Sequence, residues 1–269
     1  MKEVSRKFLI HHSSFIICVG VLMANKVAQE AFNHLIGDLR ATHGENLAAV
    51  VLYGSAAAGD HIDQSSDYNL LIALTRITPE ELRQAQAPLR EWRRLGHPLP
   101  VYFTTEELRD AADVFPIEFH QMQRARVVLY GNDPFVDLVI HDHNLRHQTE
   151  YELRSKLIQL RRLYIPASIS VEKLTDLMGE SLTSFAVLFA PALMLHGVKE
   201  PPVLKHDCVR AAVKHFGLNP DPFERIFALR ETGARPANDA EAHELFASYL
   251  TQIEIVTEAV DELSPGAEK

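Results

Sequence analysis

Apolar residues recur three and four apart between Asn25 and His43, at Val27, Ala31, Phe32, Leu35, Ile36 and Leu39, which predicts an amphipathic helix. Gly44 stands where a left-handed stop would end it. The next run, Val50-Val51-Leu52-Tyr53, is continuous and β-branched, the pattern of a buried strand, and it breaks at Gly54-Ser55 into the helix-compatible Ala56-Ala57-Ala58. A second apolar run, Leu70-Leu71-Ile72, follows Asp67-Tyr68-Asn69 and predicts the next strand. Thr78-Pro79-Glu80-Glu81 places a capping hydroxyl, a first-turn proline and a glutamate three positions on, so a helix is expected from there to about Leu95. A short strand at Pro100 to Phe103 and a second capping pattern at Thr104-Thr105-Glu106-Glu107 come next. Phe115 to Met122 and Arg126 to Tyr130 read as two more strands before the turn Gly131-Asn132-Asp133-Pro134.

Past Phe135 the period changes. Glu150 to Ile165, Val171 to His196, Val203 to Phe216, Phe223 to Arg230 and Ala240 to Leu263 all read as helices, with Leu153, Leu157, Leu160 and Tyr164 forming one apolar face of the first. The stretch from Ser181 to Val198 is apolar enough to suggest a membrane span. It is shorter than the roughly 20 apolar residues a bilayer needs and contains Pro191 and His196, so it reads as the central helix of a bundle. The expected organisation is a mixed α and β domain over residues 24–140, then a helical domain over 141–264.

Residues 1–22 stand apart. Lys2, Arg6 and Lys7 precede an apolar stretch in the manner of a signal peptide, but His11-His12-Ser13-Ser14 interrupt it and Asn25-Lys26 follow where small cleavage-site residues would be. The segment is read as a disordered or mis-assigned extension, with Met23 as the true start and the protein as cytoplasmic.

Composition narrows the functions. A net charge of −9 offers no basic field for a phosphate backbone, which argues against general nucleic-acid binding. Cys18 and Cys208 are the two cysteines, without metal-type spacing, so neither a disulfide framework nor a structural zinc site is indicated. His143 and His147 have helical i, i+4 spacing but need a third ligand to hold zinc.

The chemistry concentrates between Val50 and Ile72. A glycine turn lets backbone approach phosphate oxygens, the Ser55 hydroxyl adds a donor, and residues 67 and 69, two apart on a strand, face the same way. Gly54-Ser55 followed by Ser66-Asp67-Tyr68-Asn69 resembles the nucleotidyltransferase superfamily of the DNA polymerase β type, whose signature is a Gly-Ser turn and then Asp-x-Asp. The helical half resembles kanamycin-type nucleotidyltransferases in layout. The resemblance implies an α+β fold, a mixed-sheet nucleotidyltransferase domain followed by an all-helical bundle domain. It further implies nucleotide binding at Gly54 and Ser55, Mg²⁺ or Mn²⁺ held by Asp67 and position 69, and a third acid on a later strand, for which Glu118 is the candidate. Arg124, Arg126, Lys156, Arg161 and Arg162 are candidate triphosphate contacts. The implied reaction moves a nucleoside monophosphate from a nucleoside triphosphate to a hydroxyl of a small molecule or protein, with no nucleic acid or membrane as partner.

The second aspartate of the signature is Asn69 here. An amide oxygen still ligates a hard cation but removes one negative charge, which weakens the site. Two readings follow: a transferase with a reduced metal site, or an inactive nucleotidyltransferase-fold module that binds or regulates.

Overall fold

The computed structural model describes residues 26–58 and 68–263. The expectations for residues 1–22 and for Asp67 lie outside the described residues. The chain divides between Val139 and Ile140 into two compact units.

In the first unit, helix α1 (Lys26–His43) buries Ala28, Phe32, Leu35 and Leu39 on one stripe, each large side chain stabilising by roughly 2 kcal/mol on burial. A one-turn 3-10 helix (Gly44–Asn46) leads from it into strand β1 (Leu47–Tyr53). Helix α2 (Ser55–Ala58) is a single turn, and strand β2 (Asn69–Leu74) follows. Strands β3 (Val101–Thr104) and β4 (Arg126–Gly131) complete a four-stranded sheet in the order β3-β2-β1-β4. β1 runs antiparallel to both β2 and β4, whereas β2 and β3 are parallel. β1 and β2 are buried almost throughout, which is why their sequences are continuously apolar rather than alternating.

The region expected as one helix from Thr78 to Leu95 is two, α3 (Pro79–Gln84) and α4 (Gln86–Arg94). Pro88 explains the break: it has no N–H for the Gln84 carbonyl, and its ring crowds that same group. Both capping patterns form, with Thr78 accepting from the Glu80 amide and Thr104 building a full capping box on α5 (Thr105–Asp110). The segment expected as a strand from Phe115 to Met122 is helix α6 (Pro116–Arg124). The apolar residues at 115, 117 and 119 imitate strand alternation, but Pro116, Phe119 and Met122 are buried at helical spacing and proline occupies the first turn.

The two sheet faces are covered differently. Val50, Leu52, Leu70 and Ile72 share a core with α1 residues, Tyr68 and Trp92 of α4. Phe32, Tyr68, Trp92 and His97 form an aromatic cluster there, and the Trp92 indole N–H donates to the Pro98 carbonyl at 2.9 Å. On the other face Phe103 packs edge-on against Phe115 and Phe119, so α6 covers that side.

The second unit is all helical: α7 (Asp142–Ala167), α8 (Val171–Leu195), α9 (Lys205–Phe216), α10 (Asp221–Thr232) and α11 (Asp239–Asp261). Ser170 and Asn238 cap α8 and α11, and glycines at positive φ, Gly217 and Gly233, end α9 and α10. By length and composition α8 could cross a bilayer. Here it is the hub of the bundle, touching the other four helices, with Leu182, Phe185, Phe189 and Leu193 buried. The architecture is thus α+β: a mixed-sheet domain followed by a helical bundle.

Candidate active site

The site residues meet at the end of the sheet where β1 stops and β2 and β4 begin. Tyr53 pairs with Asn69 on one side and with Arg126 on the other. Residues directly opposite in antiparallel strands point to the same face, so Arg126, Tyr53 and Asn69 form a row across the sheet. Tyr68 turns to the opposite face and is buried in the core. Burial pushes both the Tyr53 and Tyr68 phenols above their ordinary values, so both remain neutral hydrogen-bonding groups at pH 7.

Directly after Tyr53, Gly54 adopts φ +83°, a conformation that L side chains avoid. The turn lies against Asn69: a Cβ at Gly54 would stand 3.4 Å from Asn69 Nδ2, an ordinary contact distance, so the constraint here is the backbone conformation. The structure therefore brings Gly54 and Asn69 together, with Ser55 exposed at the start of α2. The Gly54 amide is already engaged, donating to the Ala125 carbonyl at 3.3 Å, while the Gly54 carbonyl accepts from the Ala58 amide at 2.9 Å. The donors this turn offers an anion are accordingly those of Ser55, its hydroxyl and first-turn N–H. With four residues, α2 contributes little dipole.

Ala125 was not singled out from sequence, since its role arises from the pairing of β4 with β1. Arg126 was, as a phosphate contact, but its guanidinium is occupied: it forks onto Asp133 at 2.7–3.0 Å, bonds the Gln123 carbonyl and lies 5.7 Å over the Phe135 ring. That clamp fixes the β4 end that holds Gly54. Lys156 and Arg161 pair with Glu152 and Glu254 in the helical unit.

Glu118 requires a correction. It is not on a strand but on α6, exposed, while its neighbours Ile117 and Phe119 are buried. Parallel pairing places Val101 beside Leu71 and Phe103 beside Ala73, so the edge strand next to β2 presents apolar side chains on the face of Asn69. Among the described residues no group of three or more His, Cys, Asp or Glu side chains converges as a metal site would. His143 and His147 are exposed on α7. Asn69 offers a neutral amide oxygen, which suits a divalent ion only together with a carboxylate such as Asp67.

No known protein-family profile matches the sequence, and no curated protein matches it. Among solved structures, that of spectinomycin adenyltransferase from Enterococcus faecialis, with ATP and spectinomycin, is similar to this chain with a TM-score of 0.52 and 14% identity. The likeness covers 87% of this chain and 99% of the other. It is a likeness of fold and extends over both units.

Proposed function

We propose that the protein binds a nucleoside triphosphate at the open end of its sheet and transfers the nucleoside monophosphate to a hydroxyl of a small molecule or protein. The observation that carries this reading is the Gly54 turn at φ +83°, which lies against Asn69 and leads directly into exposed Ser55. The structural neighbour, solved with ATP and a small molecule, supports ATP as the nucleotide and a small-molecule acceptor. Ser55 grips the triphosphate, and Asp67 and Asn69 hold Mg²⁺ or Mn²⁺. A bound divalent ion supplies positive charge at the phosphorus under attack. The acceptor oxygen bonds to the α-phosphorus, the bond to the bridging oxygen breaks, and pyrophosphate leaves. Glu118, on the helix covering the Asn69 face, is the proposed acceptor of the hydroxyl proton.

A second reading, a nucleotide-binding module without transfer, is favoured by one observation: β3 offers Val101 and Phe103, not a carboxylate, beside β2. One experiment separates the two. Calorimetric titration with Mg²⁺ and a non-hydrolysable ATP analogue, run beside transfer of label from α-labelled nucleotides, is expected to show both binding and transfer. Binding without transfer supports the module; no binding overturns both. Asn69→Asp restores the missing charge and is expected to tighten metal-dependent nucleotide binding by about tenfold. Glu118→Gln is expected to lower transfer while leaving binding intact.

A further inference from the structure

Helix α7 is apolar on two opposite faces. Leu145, Leu153, Leu157 and Leu160 are buried in the bundle. On the far side Tyr151, Ile158 and Ile165 recur every seven residues and are 65%, 65% and 71% exposed, and Ile169 just past the helix end extends the line at 76%. At 100° per residue the three helical positions, Tyr151, Ile158 and Ile165, fall within about 40° of one another, directly opposite the buried seam. Large aliphatic side chains aligned on the solvent face of a helix mark an interaction surface rather than the scattered exposure of an ordinary surface.

We propose that this stripe is a two-fold interface at which two copies of the chain pair through antiparallel α7 helices centred on Ile158. The order of side chains selects that occupant. In an antiparallel pair centred there, Ile158 meets Ile158, Tyr151 meets Ile165, and Arg162 falls opposite Ser155. A parallel pair would instead set Arg162 against Arg162. A two-fold axis perpendicular to the helices keeps each flank against its own kind, so Arg162 comes alongside Glu152 of the second copy, an acid whose ion pair among the described residues is a 3.9 Å contact to Lys156. The other flank sets Arg154 near Arg161, but both are neutralised inside the protomer, by Glu150 and Asp261 and by Glu254. The four apolar side chains cover about 100 Å² each, and the polar residues between them bring a pair to roughly 1,000 Å² in total, the lower bound for a specific interface. A reversible dimer of micromolar affinity is the expected strength. An anionic membrane surface fits less well, because most cations flanking the stripe already have acidic partners and the chain carries a net charge of −9.

Sedimentation equilibrium of the full chain across the micromolar range should show twice the chain mass at the upper end. Ile158→Glu, which would bring two carboxylates together on the axis, should abolish the dimer with an unchanged circular dichroism spectrum and melting transition. Glu152→Arg and Arg162→Glu should each weaken association severalfold, and the double exchange should restore it. As a geometric check, Ile158→Cys should crosslink to itself on oxidation above the level of the parent chain. Tyr151→Cys should crosslink instead when mixed with Ile165→Cys. A wild-type chain that stays monomeric overturns the proposal, as does a dimer that survives Ile158→Glu. Self-crosslinking of Tyr151→Cys as efficient as that of Ile158→Cys excludes the antiparallel arrangement.

Discussion

The two ends of the sheet in the first unit use polar groups in opposite ways. At the end where β1 begins, Asn46 locks the chain: its side chain donates to the Arg76 carbonyl at 2.9 Å and accepts from the Thr75 hydroxyl at 2.6 Å and the Arg76 amide at 2.9 Å. Arg76 pairs with Glu81 at 2.7 Å, and Glu81 also bonds the Thr78 hydroxyl. At the end where β1 stops, Ser55 is exposed and Asn69 faces the Gly54 turn. One end spends its polar groups on the fold, and the other leaves Ser55 open to a ligand. Substitutions at the first should therefore change stability, and substitutions at the second should change binding first.

The largest effect is expected at Gly131, on the closed end. It has φ +77°, and a Cβ there would collide with the Ala48 carbonyl oxygen of the neighbouring strand, backbone that cannot move without breaking the ladder. Gly131→Ala should cost about 3 kcal/mol or more in urea unfolding, from the left-handed conformation together with the clash. A cost below about 1 kcal/mol would show that the β1–β4 edge yields easily, and the contrast between the ends would fail.

Gly54→Ala tests the open end. The same backbone penalty applies, but the added methyl meets only the Asn69 side chain at ordinary contact distance, so about 1–2 kcal/mol of stability should be lost. Nucleotide affinity should fall by about tenfold, because the turn presenting Ser55 relaxes. Calorimetry and urea unfolding on one preparation separate the two losses; a purely stability-based effect would make this end structural as well.

What could be read from sequence divides along similar lines. The helices of the second unit follow from repeating apolar faces, four of them longer than three turns, where period is unambiguous. Short segments in the first unit are less secure. Phe115 to Phe119 alternates like a strand for five residues, and only Pro116 and the later Met122 betray the helix. Pro88, which marks the break at Gln84, lies inside the run that the cap at Thr78 opens. The Gly54 turn follows from the glycine that ends the first apolar run; its nearness to Asn69 comes from the antiparallel register of β1 and β2, which pairs Tyr53 with Asn69 across the intervening residues 54–68. That the Gly54 amide is taken by Ala125 depends on pairing with β4, some seventy residues away, which no local pattern encodes. The apolar face of β3 beside Asn69 likewise needed the register of a parallel pair.

A smaller effect concerns acid stability at the closed end. The Thr78 hydroxyl, and after it the backbone amide of Glu81 itself and the Arg76 guanidinium, hold the Glu81 carboxyl down at about 2, against an ordinary value of 4.5. A depressed carboxyl pKa contributes stability above its unfolded value and loses it as pH falls. The loss should therefore run between about pH 4.5 and 2. Subtracting the pH profile of Glu81→Gln from that of the wild type should isolate a limb in that window. A difference profile flat below pH 4.5 would remove Glu81 from the lock.

The smallest effect is expected at His43, which sits under the closed end with both ring nitrogens buried and without a hydrogen-bond partner among the described residues, its ring edge-on to Tyr102 at 6.4 Å. Burial lowers the imidazole pKa below 6.5, with Glu81 pulling weakly the other way. The folded state therefore binds fewer protons than the unfolded state below about pH 6.5, and stability declines from there toward the lower folded value before levelling off. That window lies above the Glu81 limb at its upper edge, so the two can be told apart. His43→Phe keeps the ring and its contact with Tyr102 while deleting two polar atoms that have lost water and gained no partner among the described residues. It should stabilise the protein by about 1 kcal/mol at pH 7, and the gain should grow as pH falls below 6.5. Thermal unfolding at a series of pH values measures both terms. A destabilised variant with an unaltered acid profile would mean that His43 is hydrogen-bonded in solution and that the closed end is satisfied throughout.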